Sequence, residues 1–103
     1  VHEWTQAPNL LDDAVTVINT TSLGMTGKQE FHVPLHRLNP GALCNDLVYT
    51  PLKTQFLIEA EDRGATIVDG LGMLLHQAAP GFERWFGVRP DVDEATRQAV
   101  LSA

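Results

Sequence analysis

At 103 residues, 44% hydrophobic and 19% charged, the chain is long enough for one small folded domain. A domain of this size buries only about 60–65% of its unfolded surface, so it is expected to lean on another domain or a second copy. A formal net charge of −6 with seven scattered basic residues argues against a nucleic-acid partner, which needs clustered Lys and Arg, and no run approaches the ~18 apolar residues of a membrane span.

Val1-His-Glu-Trp4 has neither an initiator Met nor the basic start and apolar core of a signal peptide. The chain is therefore read as beginning inside a longer protein. Residues 8–13 suit a short helix. The β-branched run 15–19, Val-Thr-Val-Ile-Asn, reads as a buried strand. Residues 20–34 hold Thr20, Thr21, Ser22, Gly24, Gly27 and Pro34, which is loop chemistry. Residues 42–48 read as a second buried strand, ended with the help of Pro51. It contains Cys44, the only cysteine, read as a buried inert thiol that fits a reducing cytoplasm.

Thr54 is placed as the N-cap of a helix over 55–63 whose apolar face is Phe56, Leu57 and Ala60, with Gly64 as its stop. Residues 65–68 form a short third strand. Leu71, Leu74, Leu75, Ala78, Ala79, Phe82, Trp85 and Phe86 then recur with a period near 3.6. Pro80 lies inside this pattern, which predicts a kink near 76–80 or a break there, with Gly87 as the end. Asp91 and Glu94 form a capping-box-like pair for a final helix over 92–102, and Asp93 also suits the positive end of that helix.

Short apolar strands alternating with helices predict an α/β fold with a parallel sheet. Three strands suggest the second half of a doubly wound domain, followed by a helical pair. In such sheets ligands bind beyond the carboxyl ends of the strands, and three loops leave those ends: 19–25, 46–53 and 69–73. In the first, the hydroxyls of Asn19-Thr-Thr-Ser-Leu-Gly-Met25 serve either a polar ligand or their own turn. In the second, Tyr49 presents its hydroxyl or simply packs. In the third, Gly70 either admits a flat ligand to the backbone or makes a tight strand-to-helix turn. No Gly-x-Gly-x-x-Gly, Walker or Gly-x-Ser-x-Gly pattern is present. His32 and His36 flank Pro34 in a loop and do not read as a metal pair.

Three segments then coincide. Asn19-Thr-Thr-Ser-Leu-Gly-Met25 resembles the N-[AT]-T-S-x-G-M segment of shikimate dehydrogenases. Asp46-Leu-Val-Tyr-Thr-Pro-Leu-Lys-Thr54 resembles their D-x-x-Y-x-P-x-x-T segment, and Asp69-Gly-Leu-Gly-Met-Leu-Leu-His-Gln-Ala-Ala79 their D-G-x-x-M-L-x-x-Q-A segment. Phe82-Glu-Arg-Trp-Phe-Gly87 is similar to the family's F-x-x-W-x-G.

The resemblance implies a partial Rossmann-like domain. Residues 1–70 would be the C-terminal portion of the NADP-binding domain, and 71–103 helices that pack back toward a substrate domain. It implies reversible hydride transfer between NADP, with NAD as an alternative, and shikimate or 3-dehydroshikimate, in aromatic amino-acid biosynthesis in the cytoplasm. Carried over by motif, Thr21, Ser22, Leu47, Gly70 and Met73 fall at cofactor positions, and Tyr49 and Gln77 at substrate positions. The family's catalytic Lys and Asp and its pyrophosphate loop belong upstream of Val1, so this chain is expected to be inactive alone. Quinate dehydrogenases and related paralogues share the motifs. A stand-alone association module, joining through an exposed sheet edge or through Phe82, Trp85 and Phe86, is the reading from another class.

Overall fold

The three apolar runs form strands where they are expected, and they pair in parallel. β1 is Thr16–Asn19, β2 Leu43–Asp46 and β3 Thr66–Val68, in the order β1-β2-β3. The computed structural model describes all 103 residues. They divide into two compact units, Val1–Gly70 and Leu71–Ala103.

The register sets Val17 beside Cys44 and Cys44 beside Ile67, and two residues on it sets Asn19 beside Asp46. Because side chains alternate across a strand, these residues share one face. That face holds the core of the first unit, where Cys44 is buried with Leu11, Leu35, Leu38, Ala42, Phe56, Leu57, Ala60 and Ala65. Desolvation pushes the Cys44 thiol above its ordinary range, in keeping with an inert core residue.

The opposite face corrects the sequence reading of fully buried strands. Ile18 and Val68 on it are 50% and 43% exposed. The reason is topological. Strands added in one direction by crossovers of one hand place both connections on the same side. Here the β1–β2 connection supplies Leu35 and Leu38 and the β2–β3 connection supplies Phe56, Leu57 and Ala60, all to one cluster.

The two connections differ in kind. Between β2 and β3 runs α2, Gln55–Asp62, with the Thr54 hydroxyl accepting from the Leu57 N–H as N-cap. Gly64 follows it at φ +89°, donating to Glu61 O, as a C-terminal stop requires. The β1–β2 connection, residues 20–42, contains no helix. It is held by side chains instead. The Phe31 ring packs edge-on between Trp4 and Phe56, with centroids 5.7 and 5.0 Å away, and the Arg37 guanidinium grips both oxygens of Asp12 and Asn9 Oδ1. Asp12 and Asn9 flank the end of α1, Ala7–Leu10, which follows a 3-10 turn at Trp4–Gln6 and is shorter than the 8–13 helix expected.

In the second unit α3 runs unbroken from Leu71 to Phe86 with Pro80 inside it. Of the kink or break expected at Pro80, the break does not occur. Proline removes one N–H and leaves the other backbone bonds of a sixteen-residue helix in place. Gly87, at φ +73°, closes it by donating to Glu83 O. α4 spans Glu94–Leu101, and its N-cap is Asp93 rather than Asp91. The Asp93 carboxylate accepts from both the N–H and the hydroxyl of Thr96, each at 2.9 Å, so the cap sits two residues later than expected. No helix is long and apolar enough to cross a membrane.

Hydrogen bonds from Thr96 hold the Asp93 carboxyl below its usual range, and those from Arg37 do the same for Asp12. A depressed folded-state value means that the stabilisation is present above the ordinary Asp value of about 3.9 and is lost as pH falls through the folded-state value. Thermal melts across pH 2–5 should therefore show a loss of stability in acid. Asp93→Asn, which keeps a capping oxygen, should shrink that loss while leaving the melt at pH 7 little changed.

Candidate functional site

Parallel strands place their three carboxyl ends along one rim, and in the first unit the chain leaves β1, β2 and β3 there as residues 20–25, 47–50 and 69–70. The first two segments face each other across an open cleft of about 340 Å3 lined by Thr20, Thr21, Ser22, Met25, Leu47, Val48, Tyr49 and Thr50.

Beneath the cleft the register pair Asn19 and Asp46 is buried, at 1% and 0% exposure. Asn19 Nδ2 donates to Asp46 Oδ1 and to Leu23 O, each at 3.0 Å. Asn19 Oδ1 accepts from the N–H and the hydroxyl of Thr21 at 3.0 and 2.7 Å. Asp46 Oδ1 also accepts from the Val48 N–H at 2.9 Å, and Oδ2 from the Thr54 hydroxyl at 2.6 Å. Backbone bonds close the frame, from Leu47 N–H to Asn19 O and from Thr26 N–H to Thr50 O. Gly24, at φ +94°, lets the first loop turn back on itself.

The hydroxyls of the cleft differ in what is left to them. Thr21 Oγ1 donates to Asn19 and accepts from the Leu23 N–H, so it serves its own turn. The Thr20, Ser22 and Tyr49 hydroxyls make no hydrogen bond within the chain, and Tyr49 is 44% exposed. The lining contains no Lys, Arg, His or carboxylate. It can present neutral donors and acceptors beside apolar surface, but it cannot hold a phosphate by charge.

Known proteins match this chain along its whole length. The Shikimate 5'-dehydrogenase C-terminal domain profile matches residues 70–101. Over all 103 residues the chain is 71% identical to the NADP(+) shikimate dehydrogenase of Cereibacter sphaeroides, covering 37% of that protein. Over 102 residues it is 63% identical to that of Paracoccus denitrificans, covering 36%. Along its whole length the chain is similar to part of the shikimate dehydrogenases. It spans little more than a third of the length of these relatives.

Solved structures agree. Quinate dehydrogenase from Corynebacterium glutamicum in complex with NAD matches 99% of the chain and 36% of its own length, at TM-score 0.87 and 28% identity. Shikimate 5-dehydrogenase from Listeria monocytogenes, in complex with shikimate and NAD, matches 94% of the chain and 34% of its own length, at TM-score 0.79 and 30% identity. The Thermus thermophilus enzyme with NADP(H) and shikimate matches 87% and 33%, at TM-score 0.71 and 32% identity.

Of the positions carried over from the shikimate dehydrogenase motifs, Thr21, Ser22, Leu47 and Tyr49 line the one cleft. Gly70 lies behind it. A Cβ there would meet Leu47 O at 2.4 Å, Leu47 C at 2.6 Å and Val48 O at 2.7 Å, so the space beside this glycine is filled by the second loop's backbone. Met73 and Gln77 lie one turn apart on α3, in the second unit. Sequence reasoning left Asn19 and Thr54 out of the site, although Asn19 and Asp46 open two of the three family segments and Thr54 closes the second. Their signal was a polar residue ending each of two strands, on the face that is otherwise apolar.

The residues present fit one end of a nicotinamide dinucleotide. Free hydroxyls beside Met25, Leu47 and Val48 suit a flat ring bearing a carboxamide, whereas the cleft has no cation for the phosphates.

Gly70→Ala drives a methyl into main chain rather than into a movable side chain. Overpacking of this kind should destabilise the chain by about 2–3 kcal/mol, as read by urea denaturation. Gly72→Ala, where nothing lies within 4 Å of the added Cβ, should cost nothing or stabilise α3 slightly.

Proposed function

We propose that this chain supplies the nicotinamide side and part of the substrate side of the active site in an NADP-dependent shikimate dehydrogenase, which interconverts 3-dehydroshikimate and shikimate. The observation that carries this reading is the convergence of the first two family segments on one cleft with unengaged hydroxyls. The identity of 71% along the whole chain to an NADP(+) shikimate dehydrogenase supports it.

When bound, the dinucleotide would supply or accept the hydride. The chain's own residues position the reactants, which is the main task in hydride transfer. Thr21 and Ser22 border the cofactor, with the Ser22 hydroxyl the one free to bond it. Leu47 and Gly70 bring backbone to the ring, with Gly70 acting by letting residues 47–48 settle against the end of β3. By the family motifs Met73 is a further cofactor position, and Tyr49 and Gln77 are substrate positions whose hydroxyl and amide suit a polyhydroxylated carboxylate.

Carbonyl–alcohol interconversion also needs a proton donor. The cleft lining holds no Lys, His or carboxylate to provide one, so the chain alone is expected to be inactive, with the catalytic Lys and Asp supplied by the preceding part of the enzyme.

Replacing the corresponding third of the Cereibacter sphaeroides enzyme with residues 1–103 tests this directly. The chimera should reduce NADP+ with shikimate at a rate within about tenfold of the parent, and a folded chimera with no activity would refute the assignment. In that chimera Ser22→Ala should raise the cofactor KM about 2–12-fold, the range expected for one neutral hydrogen bond of about 0.5–1.5 kcal/mol.

The likeness to a quinate dehydrogenase bound to NAD supports a second reading within the same chemistry. Rates of the chimera on quinate and shikimate, each with NAD+ and NADP+, separate the two.

As a separate molecule the chain is expected to self-associate through the exposed sheet face at Ile18 and Val68 and through Phe82, Trp85 and Phe86, all of which are exposed. A concentration-independent monomer on size-exclusion chromatography would count against this.

A further inference from the structure

We infer that Asp46 is a positioning residue of the cleft, coupling its two walls through Asn19. The inference rests on the functional reading above for what the cleft binds, but not for the coupling itself.

Asp46 is fully buried, in none of the chain's ion pairs, and its carboxylate is held by three neutral donors. Each donor belongs to a different segment: Val48 in the second wall of the cleft, Asn19 at the end of β1, and Thr54 at the start of α2. Burying a carboxylate without a cation is unfavourable unless its acceptor capacity is filled. Filling it here fixes three segments relative to one another.

Backbone sets the direction of the bonds that Asn19 and Val48 make. Val48 N–H can only donate. Asn19 must turn its oxygen to the Thr21 N–H, which leaves its NH2 for Leu23 O and Asp46 Oδ1. An acceptor is therefore required at Asp46 Oδ1, and a displacement of it is passed through Asn19 to Thr21 and Leu23. The relay runs from Val48 N–H through Asp46 and Asn19 to the Thr21 hydroxyl and on to the Leu23 N–H. Thr21 and Val48 line opposite sides of the cleft. Ser22 and Tyr49 adjoin them, so this one carboxylate sets the separation of two of the hydroxyls free to meet a ligand.

Asp46→Asn is the informative change. The amide oxygen can keep the Asn19 and Val48 bonds, and the Thr54 hydroxyl can reverse to accept from the new NH2. The charge-assisted acceptor becomes a neutral one, roughly half as strong. In the chimera described above, amide hydrogen exchange should quicken about tenfold at both Val48 and Leu23, while Ile67 in β3 is unchanged. The Val48 response shows the direct bond and the Leu23 response the relay. Quickening at Val48 with none at Leu23 overturns the proposal, whether or not the cofactor binds.

NADP+ titration by calorimetry supplies the second arm. Ser22→Ala should weaken binding by a smaller factor in the Asp46→Asn background than alone, and equal factors in both backgrounds would mean independent residues, against the proposal. A chimera that binds no NADP+ but shows the paired exchange response would sink the functional reading and leave the coupling standing. If Asp46→Asn does not fold, Thr54→Val and Thr54→Ser decide. The hydroxyl-free variant should quicken exchange at Val48 and Leu23, and the serine should restore both. A serine that fails to restore them would overturn the role.

Discussion

Parallel register brings Asn19 of β1 opposite Asp46 of β2 on a face that is otherwise apolar, and most of what is distinctive about this chain follows from satisfying that pair. Both side chains are buried. Every donor and acceptor they carry must therefore be met from within the protein. The partners that meet them are the first residues of the loops leaving two strands, together with the hydroxyl that caps α2. No buried side-chain polar atom in the chain lacks a partner. The same network that relieves burial of polar groups shapes the rim on which the family segments meet, so core stability and site geometry are one problem here.

That coupling explains a division among the rim residues. Those that complete the network, such as Thr21, have their hydroxyls turned inward. Those one position further along, such as Ser22, face the cleft with nothing to bond within the chain. Gly70 belongs to the inward class in its own way. Its missing Cβ is where the carbonyls of Leu47 and Val48 lie, so the third loop braces the second from behind. A site built this way presents few functional groups, on a rim held by buried bonds.

Parallel sheets are stable when both faces are covered, and here both connections pack on one. Ile18 and Val68 remain open to solvent, in a chain spanning little more than a third of its relatives.

Local chemistry was enough to locate the strands, the Thr54 cap, the Gly64 and Gly87 stops and the three family segments. Each is written in a few adjacent residues, as β-branched runs, capping hydroxyls and glycines at positive φ. What lay beyond it depended on residues brought together from distant positions. Asp93 rather than Asp91 caps α4 because the Thr96 N–H and hydroxyl fall within its reach. The long β1–β2 connection needs no helix because Phe31, Leu35 and Arg37 find partners in segments distant in sequence. The one-sidedness of the sheet follows from strand order, and the use of Thr21 within its turn from an Asn19–Asp46 pairing 27 residues apart. A sequence lists which groups must be satisfied. Only the folded chain decides which of them satisfy one another and which are left for a ligand.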